Sequence, residues 1–213
     1  MMAIIDYGMG NLRSVEKALQ TLEADCSIFT EPPDSAYLAG IVLPGVGAFS
    51  DAMRNLHRGG WVEWIREKVE AGIPLLGICL GLQLLFSRSE EGAGVTGLDL
   101  LKGDVVRFPP SVGIIPHMGW NQLKIVSDTP LLSGIDEGEF VYFVHSYYAV
   151  PADPAIIAAT TDYGIDFASV VADRNIYGLQ FHPEKSQTAG LNILRNFINI
   201  SIPDIHARIV RNN

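Results

Sequence analysis

Cysteine is scarce: the 213 residues include only Cys26 and Cys79. Two are too few for a disulfide scaffold or a zinc ribbon, and a reducing, cytoplasmic compartment is expected. Long apolar runs are missing as well. The longest, such as Ile73 to Leu76, are strand-length, far short of the ~18–20 residues that a membrane span needs. The chain opens MMAIIDYG, with neither a basic n-region nor a small-residue cleavage site, so no export signal is expected. Positive charge is in deficit: 15 Lys and Arg face 24 Asp and Glu, for a formal net charge of −9. With no basic stripe either, a general nucleic-acid surface is excluded. No two histidines have metal-ligand spacing, so no metal site is expected. Hydrophobic residues at 48% against 18% charged exclude disorder and suffice for one domain with a full core. No repeat, low-complexity tract or linker interrupts it. Residues 1–213 therefore read as a single domain with a peripheral tail from about residue 201.

Short apolar runs are plentiful. Ala3 to Tyr7, Cys26 to Phe29, Ile41 to Leu43 and Ile73 to Ile78 read as buried strands. Between them Leu12, Val15, Leu19 and Leu22 recur at helical steps, and helices are expected around 49–56 and 62–69. Alternating strand and helix predicts an α/β fold with a mainly parallel sheet covered on both faces. The second half changes character. Residues 105–108, 121–126, 140–149 and 156–161 read as strands, and 167–172 and 176–181 as a hairpin about Asp173-Arg174-Asn175. A last helix is expected over about 188–199, with Pro203 just beyond its end. Gly8-Met9-Gly10 is no dinucleotide fingerprint, because position 13 is Arg.

Gly77-Ile78-Cys79-Leu80-Gly81 has the form G-x-C-x-G, after an apolar strand and before a helix expected to contain Leu82, Leu85 and Phe86. That is the context of a nucleophile elbow. The glycines are needed because a side chain raised on so tight a turn leaves no room for neighbouring Cβ atoms. At a helix start the backbone dipole favours thiolate, the attacking form, and the Leu80 N–H points where an oxyanion would form. A lone cysteine in a sheet is ordinarily core, which is the reading for Cys26.

A thiol nucleophile needs a base, and an imidazole needs an acceptor to orient it. Of His57, His117, His145, His182 and His206, only His182 ends an expected strand, in Gln180-Phe181-His182-Pro183-Glu184. Strand C-termini gather at one edge of a parallel sheet, where sites form. In extended chain His182 and Glu184 share a side, so Glu184 can hold the ring in the tautomer that faces sulfur. His57, beside Arg58, reads as surface.

GICLGLQLL together with QFHPEKS resembles the class I, triad-type glutamine amidotransferases. DYGMGNLRSV, LPGVGAF, HMGWN and YFVHSYY narrow the resemblance to the glutaminase subunits of imidazole glycerol phosphate synthase, which serve histidine biosynthesis. It covers all but about the last dozen residues. The resemblance implies that Cys79 attacks the glutamine side-chain amide, that His182 passes a proton to the leaving ammonia, and that water hydrolyses the thioester. No cofactor is implied. Gln83, Glu91, His145, Ser146 and Tyr147 match positions that hold the glutamine head group. Gly45-Val46-Gly47 matches the oxyanion strand, so Val46 and Gly47 join Leu80, in a loop misaligned until the partner binds its own substrate. The implied partner is a (β/α)8-barrel cyclase, held in a heterodimer, which uses the ammonia to make imidazole glycerol phosphate and AICAR. Met118, Trp120, Asn121 and Lys185 are the expected docking residues. Trp120 alone fits a core position equally well. Three other readings stay open: the glutaminase of pyridoxal phosphate synthase or another branch, a catalytically silent partner-binding scaffold, and a cysteine-elbow hydrolase or chaperone. HMGWN and DYGMGN weigh against the first, the complete Cys-His-Glu set against the second, and the Phe-His-Pro-Glu segment against the third.

Overall fold

A computed structural model of the chain describes residues 1–34, 38–92 and 94–202. The first half alternates strand and helix: β1 (Met2–Ile5), α1 (Leu12–Thr21), β2 (Cys26–Phe29), β3 (Gly40–Gly45), α2 (Phe49–Arg58), α3 (Trp61–Glu70), β4 (Leu75–Cys79) and α4 (Leu80–Leu84). The second half is strand-rich: β5 (Phe86–Ser89), β6 (Val95–Thr96), β7 (Leu101–Arg107), β8 (His117–Gln122), β9 (Lys124–Ile125), β10 (Phe140–His145), β11 (Tyr147–Pro151), β12 (Ile157–Asp162), β13 (Asp166–Asp173) and β14 (Ile176–Leu179). Helix α5 (Gln187–Ser201) follows.

The main sheet has the order β2-β1-β3-β4-β14-β13-β12-β9. The pairings from β2 to β14 are parallel and those from β14 to β9 antiparallel. Apolar side chains leave both faces, since successive strand residues point to opposite sides. Met2 and Ile4 of β1, with Val42, Leu76 and Ile78, meet Val15 and Leu19 of α1 and Ile193 and Phe197 of α5. Ala3 and Ile5, with Ile41, Leu43 and Leu75, meet α2 and α3 through Phe49, Met53, Trp61 and Ile65. Two smaller sheets, β10-β8 and β11-β7-β5-β6, complete the fold.

The structure departs from the sequence expectations in several places. The helix after Cys79 stops at Leu84, and Phe86 already belongs to β5. The carbonyls of Leu84, Leu85 and Phe86 accept N–H groups from residues 98–101, so the helix loses the acceptors it would need to continue. The run 121–126 divides between β8 and β9. The run 140–149 breaks at Ser146, because β10 pairs with β8 whereas β11 pairs with β7. Ser201, placed in the expected tail, is the last, buried residue of α5; residues 203–213, and His206 with them, lie outside the described residues. The expected hairpin forms, with Asp173 opposite Ile176 across Arg174-Asn175.

Candidate active site

Strands β3 and β4 run side by side, and Gly45 pairs with Cys79 at their carboxyl ends. Cys79 has φ 55° and ψ −109°, a conformation that costs an L-residue about 1–3 kcal/mol. The flanking glycines permit it. A Cβ on Gly81 would overlap the carbonyl oxygen of Leu43, and one on Gly77 would come within 2.7 Å of the Gly81 carbonyl oxygen. The sulfur is buried. Leu80 opens α4, where the first N–H groups have no intrahelical acceptor.

His182 reaches the same place by leaving β14. Its N–H donates to the Tyr142 carbonyl of β10 at 2.9 Å, and Ser186 Oγ, which accepts the Tyr142 N–H, donates to the His182 carbonyl at 2.6 Å. His182 itself is extended, but Pro183–Lys185 form a 3-10 turn. Glu184 therefore meets the ring through a turn rather than across extended chain as expected. Its Oε1 lies 2.9 Å from His182 Nδ1, and both side chains are almost fully buried. His182 Nε2 and Glu184 Oε2 are buried without a hydrogen-bond partner. Burial opposes a charge on the ring, but the Cys79 sulfur and the Glu184 carboxylate outweigh it and raise the His182 pKa to about 9.

One cavity of about 260 Å³ is lined by Cys79, Leu80, His182, Val46, Gly47, Gln83, Glu91, Val144, His145, Ser146 and Tyr147. Apart from Glu184, which stands behind His182, the structure thus gathers every residue expected for catalysis, the oxyanion or the glutamine head group. Their freedom differs. Val46 is 40% exposed at the rim, and Gly47 turns the loop at φ +99°. Glu91 accepts the Phe49 N–H at the start of α2. Gln83 Nε2 donates to the Tyr147 carbonyl at 2.9 Å and to Gln180 Oε1 at 3.1 Å. Both nitrogens of His145 are engaged with protein groups, at 2.8 Å from the Tyr147 carbonyl and 3.0 Å from His117.

Gln180, fully buried, is one residue the sequence reading missed; its Nε2 lies 3.9 Å from Cys79 Sγ. A glutamine inside the apolar run IYGLQF was the signal for it. The expected docking residues separate into two sets. Met118 is 62% and Trp120 47% exposed, which removes Trp120 from the core. Lys185 Nζ sits 5.8 Å over the Tyr142 ring, beside Trp120. Asn121 faces the other way, donating to the Asp162 carbonyl at 2.8 Å, because residues 117, 119 and 121 share the inner face of β8. His57 is exposed and Cys26 half-buried. Among the described residues, no three His, Cys, Asp or Glu side chains converge on a point that could hold a metal ion, and no helix is long and apolar enough to cross a membrane.

Residues 3–200 match the model of the class-I glutamine amidotransferases. The imidazole glycerol phosphate synthase subunit HisH of Moorella thermoacetica is 54% identical over 195 residues, 92% of either chain. The subunit of the same name from Archaeoglobus fulgidus is 51% identical, over 94% of this chain and 98% of its own. Among solved structures, that of PurLQS from Thermotoga maritima superposes with a TM-score of 0.74 at 21% identity, over 93% of this chain and 97% of that one. A glutamine amidotransferase from the same organism gives 0.70 at 17%, over 94% and 97%. These two share the fold. With its elbow cysteine beside a histidine–glutamate pair, and with half its residues in common with those subunits over nearly their whole length, this chain belongs to the class-I glutamine amidotransferases and, within them, to the HisH subunits of imidazole glycerol phosphate synthase.

Proposed function

We propose that the chain hydrolyses glutamine at Cys79 and passes the ammonia to a (β/α)8-barrel cyclase, with which it forms a heterodimer in the cytoplasm. The observation that carries this reading is the buried His182–Glu184 pair on the same cavity as an elbow cysteine. Cys79 Sγ attacks the carboxamide carbon, and the carbonyl π electrons move to oxygen. The N–H groups of Leu80 and of the Val46-Gly47 loop receive that oxyanion. When the C–N bond breaks, His182 Nε2 delivers its proton to the departing nitrogen, so that ammonia rather than an amide anion leaves. Glu184 holds Nδ1–H and keeps Nε2 aimed at the reacting atoms. Water then attacks the thioester, His182 takes a proton from it, and glutamate leaves as sulfur is restored. Gln83, Glu91 and the Ser146–Tyr147 wall position the substrate head group.

The outer face of β8 and β10 supports docking of the cyclase. Met118, Trp120 and Phe140 are exposed there, and Lys185 lies against Tyr142. Exposed aromatics with a cation beside them suit an interface anchor. Glutamate release measured with the chain alone, with cyclase, and with cyclase plus its nucleotide substrate tests the whole reading. A large rise only in the last case is the expected result. Equal turnover in all three would remove the gating, and none in any would leave a silent scaffold.

A further inference from the structure

An unbroken run of hydrogen bonds joins the inner face of β8 to the nucleophile, through Asn121, His117, His145 and Gln180, which the chemistry above leaves idle, and Gln83, which it uses. Asn121 Nδ2 lies 3.3 Å from His117 Nε2, His117 Nδ1 lies 3.0 Å from His145 Nε2, and His145 Nδ1 lies 2.8 Å from the Tyr147 carbonyl. The same carbonyl accepts from Gln83 Nε2, which also donates to Gln180, and Gln180 Nε2 faces Cys79 Sγ.

The direction of every bond can be assigned. A carbonyl only accepts, so His145 carries its proton on Nδ1 and presents a lone pair at Nε2. His117 must then donate from Nδ1 and accept at Nε2, where Asn121 supplies an N–H. The Asn121 amide is itself fixed, since its nitrogen also donates to the Asp162 carbonyl and its oxygen accepts the Gln122 N–H. A second proton on either ring would set N–H against N–H. The surroundings agree with neutral rings. The His117 ring is stacked between Phe143 and Tyr163, at 4.7 and 4.0 Å, and Phe108 and Phe167 lie 5.2 and 5.1 Å from His145. Burial lowers the His117 pKa to about 4 and that of His145 to about 3.

We propose that His117 and His145 are positioning residues: a neutral pair, each protonated on Nδ1, that fixes the Tyr147 carbonyl and through it aims Gln83 and Gln180 at the Cys79 site. The effect on turnover rests on the glutaminase reading; the proton positions do not. The pair also ties the strand carrying Met118 and Trp120 to the cavity wall.

Long-range 1H–15N spectra of the full chain at pH 7 read the proton positions directly. Both rings are expected as Nδ1–H tautomers, and an Nε2–H tautomer or a cation at either would overturn the proposal. Turnover is read in the complex with cyclase and its nucleotide. His117→Phe keeps a stacked ring but leaves His145 Nε2 unpaired, and the KM for glutamine is expected to rise about tenfold, with a smaller change in kcat. His117→Asn loses the ring but returns an N–H near the Nδ1 position, and should recover most of that loss. A pair that only fills space gives the reverse order, with Phe tolerated and Asn not, and that result would overturn the proposal. Should neither variant fold, the spectra of the unmodified chain decide. If the unmodified complex turns over no glutamine, the glutaminase reading fails and the tautomers still decide the pair.

Discussion

At His182, burial and charge pull in opposite directions, and charge wins. The ring is almost completely withdrawn from water, which favours its neutral form, yet its pKa is raised to about 9 because the Cys79 sulfur and the Glu184 carboxylate stand beside it. A proton held at neutral pH is what a group that must protonate departing ammonia requires. Glu184→Gln keeps the size of the side chain and removes its charge. The His182 titration is therefore expected to fall below about 9, with the Cys79 sulfur still holding it up, read by ring 15N shifts. Glutamine-dependent synthesis by the complex should fall by roughly 10²- to 10⁴-fold, while synthesis from added ammonium salts continues. An unmoved titration would mean that Glu184 does not set the charge on the ring. These residues were legible because each sits in a short motif with its own local logic. Gln180 and His117 were not. Gln180 shows in the sequence only as a polar residue inside an apolar run; the partner that holds it, Gln83, is ninety-seven positions away, His117's partner His145 is twenty-eight away, and a run of sequence does not name such partners.

The elbow is an element-scale device: a strand, one strained residue and a five-residue helix. What it needs is close backbone approach. Gly81 lies against the Leu43 carbonyl of β3, so a methyl there meets backbone that cannot step aside, whereas a methyl on Gly60 meets nothing within 4 Å. Gly60→Ala should cost about 1–2 kcal/mol, the penalty of a left-handed L-residue, and leave turnover alone. Gly81→Ala should cost more and abolish glutamine hydrolysis by pushing Cys79 off its turn; thermal unfolding and glutamate release measure the two effects. Equal behaviour of the two variants would refute a steric role for Gly81. At this scale the sequence was most readable where an element closes on itself. The turn at Arg174-Asn175 joins two strands adjacent in sequence, and it formed as expected, although Asn175 Nδ2 also donates to the Val69 and Ile73 carbonyls. The end of α4 was not readable, because the groups that take the carbonyls at and just beyond it come from residues 98–101, after two intervening strands. The break at Ser146 was hidden for the same reason: β10 and β11 answer to different partner strands.

Across the whole molecule, the same histidines tie stability to pH from both sides. His117 and His145 have pKa values lowered to about 4 and 3. In the unfolded chain both return to about 6.5. Below 6.5 the unfolded state therefore binds protons that the folded state refuses, and stability is lost as pH falls toward 4. His182 is displaced upward, to about 9. Its contribution is complete below 6.5 and is lost as pH rises toward 9, because there the folded state holds a proton that the unfolded state releases. Each such proton tilts stability by about 1.4 kcal/mol per pH unit. Two protons act on the acid side and one on the alkaline side, so stability should peak near pH 6.5 and fall more steeply below it than above. Urea unfolding of the chain at half-unit steps from pH 5 to 9 measures both slopes, in a range where ordinary carboxylates stay mostly ionised. His117→Phe removes one acid-side proton and should roughly halve the lower slope without touching the upper one. A flat profile between pH 5 and 6.5 would mean that the buried pair accepts protons without unfolding, which the N–H groups facing each other across 3.0 Å would not permit.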